Sequence, residues 1–176
     1  MAELHVIGQI VGASGFAAKK LFCVWEISSG GAWTAISGDK DGQTQVDRPE
    51  IDDFALWSHP LDVHFATKGI QGWPKISFQV WSVDNYNRSE MCAYGFCNIP
   101  STPGEHKVEC ETWRPVGGLR DRIITFFLGG GPQLRDLNVV HNGLQRHRLY
   151  TKSMGKVYLQ IGVLMRGFEK FGVEFS

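Results

Sequence analysis

Apolar and polar residues alternate in short segments along most of this chain. Near its carboxyl end, Val157, Leu159, Ile161 and Val163 occupy every second position and share one face. A period of two is typical of a β-strand that packs one face on a core. Glycine, proline, asparagine and aspartate separate such segments, as expected for turns. The pattern predicts eight strands, which are Leu4–Val11, Phe22–Ile27, Trp33–Ile36, Leu61–Ala66, Ile76–Val83, Met91–Ile99, His106–Cys110 and Val157–Met165.

One segment follows a different period. Leu119, Ile123, Phe126 and Phe127 recur at spacings of three and four, and a triple glycine with Pro132 follows them. This spacing predicts a short amphipathic helix that ends at the glycines. A buried strand through residues 124–127 is the alternative. Residues 133–153 are polar and poorly periodic, which predicts a long excursion lying on the surface.

These elements together predict an all-β fold. Eight short strands separated by turns indicate an antiparallel β-sandwich, and the helix would cover it. The length of 176 residues suits one domain over residues 1–176. The sequence contains no internal repeat, linker or low-complexity tract.

Composition narrows the range of partners. Eighteen basic and eighteen acidic residues give a net charge of zero, so the chain has no global attraction for nucleic acid or anionic lipid. Near-neutral charge and many aromatic residues favour a permanent subunit of an assembly. The longest apolar runs fall well short of the roughly 20 residues that span a bilayer. We therefore expect a soluble protein that does not bind nucleic acid.

The cysteines are expected to be free. Cys23, Cys92, Cys97 and Cys110 could form two disulfides in a secreted chain. The first residues, however, show no basic region followed by an apolar run and a cleavage site. A reducing, cytoplasmic compartment with buried thiols is the expectation.

Calcium is the first metal to consider, because Asp84 follows a strand in a loop with Asn85, Asn87 and Arg88. Calcium takes about six to eight oxygen ligands, commonly from several carboxylates. One carboxylate beside an arginine is a poor site, and the acidic residues of segment 39–47 are interleaved with basic ones. We expect no metal here, with Asp84 capping its own backbone turn.

No other motif indicates a metal, a cofactor or catalysis. Cys92 and Cys97 lack a second pair at zinc-ligand spacing, and His141 and His147 lack an HExxH arrangement. The triple glycine lacks the lysine and hydroxyl residue of a phosphate loop. No GxSxG nucleophile elbow occurs. The sequence predicts a protein without enzymatic activity.

Two groups of residues are candidates for partner contact. The segment Pro100-Ser101-Thr102-Pro103 is a turn with two prolines, which makes it rigid and easily ordered on binding. Several aromatic residues lie at loop edges or in the tail, where a small domain has difficulty burying them all. Exposed aromatics indicate partner contacts, but ordinary core packing explains them equally well. The aromatic candidates are Trp73, Trp113, Phe168 and Phe171, with Trp57 and Phe175 in the wider set.

A group of arginines offers a second kind of surface. These residues flank the predicted helix and the excursion, and they could bind lipid phosphates. The simpler alternative is a solvated face paired with Asp121 and Asp136. The group consists of Arg114, Arg120, Arg122, Arg135, Arg146 and Arg148.

Six unusual segments carry a resemblance that covers nearly the whole chain. They are HVIGQIVGASGF (5–16), GQTQVD (42–47), WSHPLDVHFATKGIQGWPKI (57–76), YGFCNIP (94–100), TWRPVG (112–117) and GGGPQL (129–134). Together they resemble the B9 domain family, a divergent branch of the C2-like sandwiches. The chain is most similar to the small members that consist almost only of this domain.

The resemblance implies a non-enzymatic scaffold subunit of the Meckel syndrome complex at the ciliary transition zone and basal body. Such a subunit binds the other B9 domain proteins in a hetero-oligomer, with tectonics around it, and supports ciliogenesis and the gating of membrane proteins into the cilium. The family lacks the full set of C2 calcium ligands, in agreement with the Asp84 loop. A calcium-independent module that binds lipid or phosphoinositide on its own, at the membrane periphery, is the alternative.

Overall fold

The computed structural model describes residues 1–50, 52–116 and 150–172. These residues form nine β-strands and one turn of 3₁₀-helix. The predicted helix around residues 119–127 lies outside the described residues, as does most of the predicted excursion. The elements are β1 (Ala2–Ser14), β2 (Leu21–Ser28), β3 (Trp33–Ser37), β4 (Asp41–Gln43), β5 (Ala55–Thr67), β6 (Lys75–Val83), β7 (Ser89–Asn98), β8 (Gly104–Pro115), β9 (Thr151–Arg166) and the 3₁₀ turn Phe168–Phe171.

The predicted all-β sandwich is confirmed. Neighbouring strands pair antiparallel in the order β3-β5-β1-β9-β8-β7-β6-β2-β4. The pairing between β7 and β8 is limited to two residue pairs, Tyr94 with Trp113 and Gly95 with Thr112. The sheet therefore curls at this corner into two layers, one of β3, β5, β1, β9 and β8 and the other of β7, β6, β2 and β4.

Alternate residues of both layers form one core. The inward positions are apolar and almost completely buried, as the period-two pattern predicts. Trp57 of β5 reaches across the interior, where its indole Nε1 donates a hydrogen bond of 3.1 Å to the carbonyl oxygen of Leu21 in β2. The core positions include Leu4, Val6, Ile10, Val63, Phe65, Ile76, Phe78, Val80, Leu159, Ile161 and Val163.

Most strands extend beyond their predicted bounds, and the largest differences are one additional strand and two earlier strand starts. The strand β4 was not predicted, because its three polar residues are too few to show a period. The strand β5 begins at Ala55, six residues before the predicted start at Leu61. Pro60 resembles a strand boundary in the sequence, and Ser58, with a positive φ, interrupts the regular strand backbone there. The excursion was also predicted to run to Ser153, which is wrong for its last three residues, since β9 begins at Thr151.

Candidate functional site

The turn that joins β7 to β8 is exposed but firmly held at its base. Residues 101–104 are exposed, whereas Ile99 just before them is buried. The indole Nε1 of Trp73 donates a hydrogen bond of 2.8 Å to the Ile99 carbonyl oxygen. On the other side, Nε2 of His106 lies 2.9 Å from the Thr102 carbonyl oxygen and donates to it. The turn thus projects from the sandwich with little conformational freedom left to lose.

A shallow apolar trough adjoins this turn on the outer face of the first layer. The trough has a volume of about 570 Å³ and borders the turn at Gly104. Its apolar walls include Ile7 and Leu164, which are 41% and 58% exposed. Gly162, opposite Ile7 in the β1–β9 register, leaves the floor without a side chain. Turn and trough together form one continuous surface, which we call the turn–trough surface.

The trough was not anticipated from the sequence. Its residues come from β1, β5, β8 and β9, which are distant from one another in the chain. The available signal was an apolar residue on an outward strand position, as at Leu164, which lies opposite the core-facing residues of β9.

Of the two explanations left open for the aromatic candidates, core packing accounts for three of them. Trp57, Trp113 and Phe168 are 2%, 5% and 2% exposed. Trp57 is buried because β5 begins earlier than predicted, and Phe168 because the 3₁₀ turn folds onto the core. In these positions their rings are not accessible to another protein.

Trp73 and Phe171 are half-buried, and Phe175 lies outside the described residues. The ring of Trp73 packs against Trp33 and Phe168, with centroid distances of 5.1 and 6.0 Å, and Phe171 packs against Phe168 at 6.4 Å. Trp73 therefore supports the turn from beneath, through its hydrogen bond to Ile99. Partner contact by these residues stays a prediction.

The Asp84 loop has the self-capped geometry that the sequence predicts. Oδ1 of Asp84 accepts hydrogen bonds from the backbone N–H groups of Tyr86 and Arg88 at 2.7 and 2.8 Å. Oδ2 accepts one from Nε of Arg88 at 2.7 Å. These backbone donors and the nearby guanidinium lower the pKa of Asp84 below its ordinary value of 3.8. The carboxylate is thus occupied by its own loop.

Within residues 1–50, 52–116 and 150–172, no group of three or more His, Cys, Asp or Glu side chains is arranged to hold a metal ion. The same residues include no helix with the length and apolar character needed to cross a membrane.

We predict that Asp84→Asn will change the response of the protein to acid. Because the pKa of Asp84 is lower in the folded chain, its charge stabilises the fold above pH 3.8, and this contribution is lost as the pH falls through the folded pKa. The urea midpoint of Asp84→Asn should lie below that of the wild type at pH 7, and the difference should shrink below pH 3.8. Asp39→Asn, at another exposed aspartate, is the control; a difference independent of pH would contradict the prediction.

The four cysteines are free thiols. Cys23 and Cys110 are buried, and Cys92 and Cys97 are half-buried. Burial raises the pKa of the Cys23 thiol, while a hydrogen bond with Cys97 and burial raise the pKa of Cys110. Thiolates are the reactive form of cysteine, so these two residues are poorly suited to nucleophilic chemistry.

Only one residue of the arginine group can be placed. Arg114 is half-buried, and its Nη2 lies 3.3 Å from Oε1 of Glu90. The others, Arg120, Arg122, Arg135, Arg146 and Arg148, lie outside the described residues, as do Asp121 and Asp136.

Comparison with known proteins gives a consistent result along the chain. A family model described as "Ciliary basal body-associated, B9 protein" (B9-C2) matches residues 4–164. B9 domain-containing protein 2 of Homo sapiens is 55% identical over 174 residues, which cover 99% of each chain. The Drosophila melanogaster protein of the same name is 38% identical over 177 residues and covers 100% of both. B9 domain-containing protein 1 of Xenopus laevis is 27% identical over 172 residues, covering 96% of this chain and 87% of that protein.

Among solved structures, the C2A domain of plant extended synaptotagmin 1 aligns with 95% of each chain. The TM-score is 0.45 and the sequence identity 14%.

Proposed function

Since this chain belongs to the B9-C2 family of ciliary basal body-associated proteins, we propose that it is a non-enzymatic scaffold subunit that binds other B9 domain proteins. In this proposal the protein is part of the transition-zone assembly that includes the Meckel syndrome proteins and tectonics. There it would support ciliogenesis and the gating of membrane proteins into the cilium.

The observation that carries the scaffold proposal is the turn–trough surface. Ser101, Thr102 and Pro103 project from a base that Trp73 and His106 hold in place. A surface that is already ordered loses little conformational entropy when a partner binds.

The trough supplies the apolar part of the contact. Ile7 and Leu164 expose aliphatic side chains at diagonal positions of β1 and β9, since Ile7 lies opposite Gly162 and Leu164 opposite His5. Around them lie polar residues: Gln9 and Gln160, whose side chains are joined by a hydrogen bond of 3.3 Å, and the exposed Glu105. An apolar centre with a polar rim is the usual composition of a protein–protein interface.

We predict that Leu164→Glu and Ser101→Arg will each reduce binding to B9 domain-containing protein 1 about tenfold or more, equivalent to about 1.4 kcal/mol. Burying a carboxylate against a partner costs free energy through the loss of its hydration, and a long side chain on the turn prevents close approach. The measurement is co-expression of the two chains, followed by affinity capture and size-exclusion chromatography.

The matched control is Ile36→Glu, which introduces the same charge at a side chain of similar exposure, 55% against 58% for Leu164, on β3 and outside the trough lining. Circular dichroism melting curves establish that each variant is folded. Recovery of Leu164→Glu and Ser101→Arg equal to that of Ile36→Glu would refute the assignment of this surface.

The second candidate is a calcium-independent lipid or phosphoinositide-binding module that acts alone. In this candidate function the arginine group would bind lipid phosphates. Arg114 does not support it, because its side chain is paired with Glu90. The scaffold proposal therefore ranks first. Vesicle binding by the chain without a B9 partner would reverse this order.

A further inference from the structure

Two of the free thiols lie opposite each other at the corner where the layers meet. The antiparallel register that pairs Gly95 with Thr112 brings Cys97 opposite Cys110 when it is continued by two residues. Backbone pairing between β7 and β8 ends before this position in the described part of the chain. The two cysteines therefore have the placement of a cross-strand pair, although no backbone ladder joins the strands there.

Both side chains contact the core between the layers. Cys110 is 2% exposed and belongs to that core, and Cys97 is half-buried and packs against it. The Sγ atom of Cys110 lies 3.3 Å from the position that a Cβ atom on Gly95 would occupy. The glycine thus leaves room for this sulfur beside β7, on the face from which Cys97 projects two residues later.

The two sulfur atoms are close enough to interact. The thiol of Cys110 donates a hydrogen bond to Cys97, and this bond and burial raise the pKa of Cys110. Directly opposed residues of antiparallel strands have Cα atoms about 4.5–5.5 Å apart. A disulfide spans Cα distances of about 4.4–6.8 Å, which also accommodates strands that begin to diverge. The register therefore places the two sulfurs within reach of a disulfide.

A pair of neighbouring thiols, one accessible and one buried, is suited to reversible oxidation. We propose that Cys97 and Cys110 are an oxidisable dithiol whose oxidant is a small peroxide and whose product is a disulfide between β7 and β8. The proposal goes beyond the scaffold function and does not depend on it, because it concerns the joint between the two layers.

The first step of the oxidation takes place at Cys97, the more accessible of the two thiols. Its thiolate attacks one oxygen of hydrogen peroxide. An S–O bond forms and the O–O bond breaks. The departing hydroxide takes up the proton that Cys97 released, so the products are a sulfenic acid at Cys97 and one molecule of water.

The second step joins the two cysteines. The Cys110 sulfur attacks the Cys97 sulfur, the S–S bond forms, and the S–O bond breaks. The leaving hydroxide takes the Cys110 proton and becomes a second water. The contact with Cys97 compensates for the poor nucleophilicity of the protonated Cys110 thiol. In sum, two thiols lose two electrons and two protons, and the peroxide is reduced to two molecules of water.

The disulfide would tie the layers together beside their short backbone ladder. It would close a loop of residues 97–110, which includes the exposed turn at residues 101–104. A cross-link that closes a loop stabilises a folded chain mainly because it restricts the unfolded state. We expect the oxidised chain to melt about 5 °C or more above the reduced chain.

The test treats the full, reduced chain with hydrogen peroxide and maps the product. The folded protein at low concentration receives a small excess of peroxide, the remaining thiols are alkylated, and the chain is digested with trypsin without reduction. Cleavage after Lys107 separates the peptide that contains Cys92 and Cys97 from the peptide that contains Cys110. We expect a bond between these peptides that dithiothreitol breaks. Melting curves before and after reduction measure the shift in temperature.

Cys92 provides the matched control, because it lies on the same strand as Cys97 and is also half-buried. Cys92→Ala should leave the linked fraction unchanged, whereas Cys97→Ala and Cys110→Ala should each lower it about tenfold or more. Circular dichroism establishes that each variant is folded. The peptide map of the wild-type chain decides the question even where a variant at the buried Cys110 fails to fold.

A parallel reaction in urea separates the effect of the fold from that of the sequence. In the unfolded chain we expect several pairings among the four cysteines, and in the folded chain only the bond between Cys97 and Cys110. The same mixture of pairings in both states, a bond from Cys110 to Cys23 or Cys92, or a folded chain that forms no disulfide would each overturn the proposal. A bond between two chains, detected by electrophoresis without reduction, would overturn it as well.

Discussion

Replacement of Trp57 by alanine is expected to lower the free energy of unfolding by about 3–5 kcal/mol. The indole is 2% exposed and spans the interior from β5 to β2. Its removal leaves a cavity between the layers that neighbouring side chains fill only partly. The substitution also removes the indole donor to the Leu21 carbonyl, which keeps its bond from the N–H of Asp47.

Two further variants separate the causes. Trp57→Phe keeps most of the apolar volume and loses the hydrogen bond, so its cost should be smaller, about 0.5–1.5 kcal/mol for that bond plus repacking. Leu56→Ala, at the adjacent residue with 54% exposure, should cost about 0.5 kcal/mol or less. Urea unfolding followed by far-ultraviolet circular dichroism gives all three values. A cost of Trp57→Ala no greater than that of Leu56→Ala would show that this indole does not hold the layers together.

Two glycines of β9 should respond in opposite ways to the same substitution. A methyl group at residue 155 would overlap the Ser14 carbonyl oxygen and lie 2.5 Å from Cε2 of Phe16. A methyl group at residue 162 would lie 3.4 Å from the Ile7 carbonyl oxygen, an ordinary contact. We expect Gly155→Ala to destabilise the fold by about 1–3 kcal/mol because β1 and β9 must separate. Gly162→Ala should be neutral or stabilise by up to about 1 kcal/mol, since alanine loses less backbone entropy.

The comparison of these glycines contains its own control, because strand, chemical change and method are identical. Thermal unfolding of the two variants and the wild type is the measurement. Similar melting temperatures for the two variants would contradict the prediction, because β1 would then move away from residue 155 without a loss of stability.

Much of the fold could be predicted because a strand produces a pattern between residues that are close together in the sequence. The alternation in β9 and β6 depends only on residues two apart, so it is visible without knowledge of the partner strands. The strand β4 shows no alternation in the sequence. Its three residues are a strand only because they pair with residues 24–26 of β2. Pro60, three positions after Trp57, resembles a strand boundary in the sequence, so the pattern predicts Trp57 at a loop edge.

The candidate sites were less predictable, for a physical reason. The Pro100 turn was found because proline acts locally on the backbone. The trough requires the registers of β1, β5, β8 and β9. No spacing in the sequence specifies those long-range pairings.

The short pairing between β7 and β8 has a consequence for temperature. Because two residue pairs form the only backbone ladder between the layers in the described part of the chain, apolar burial supplies most of the cohesion between them. The hydrophobic contribution weakens on cooling. Cold should therefore loosen the apolar packing between the layers before the strands within either layer separate, and the core between the layers is the cold-sensitive part of the molecule.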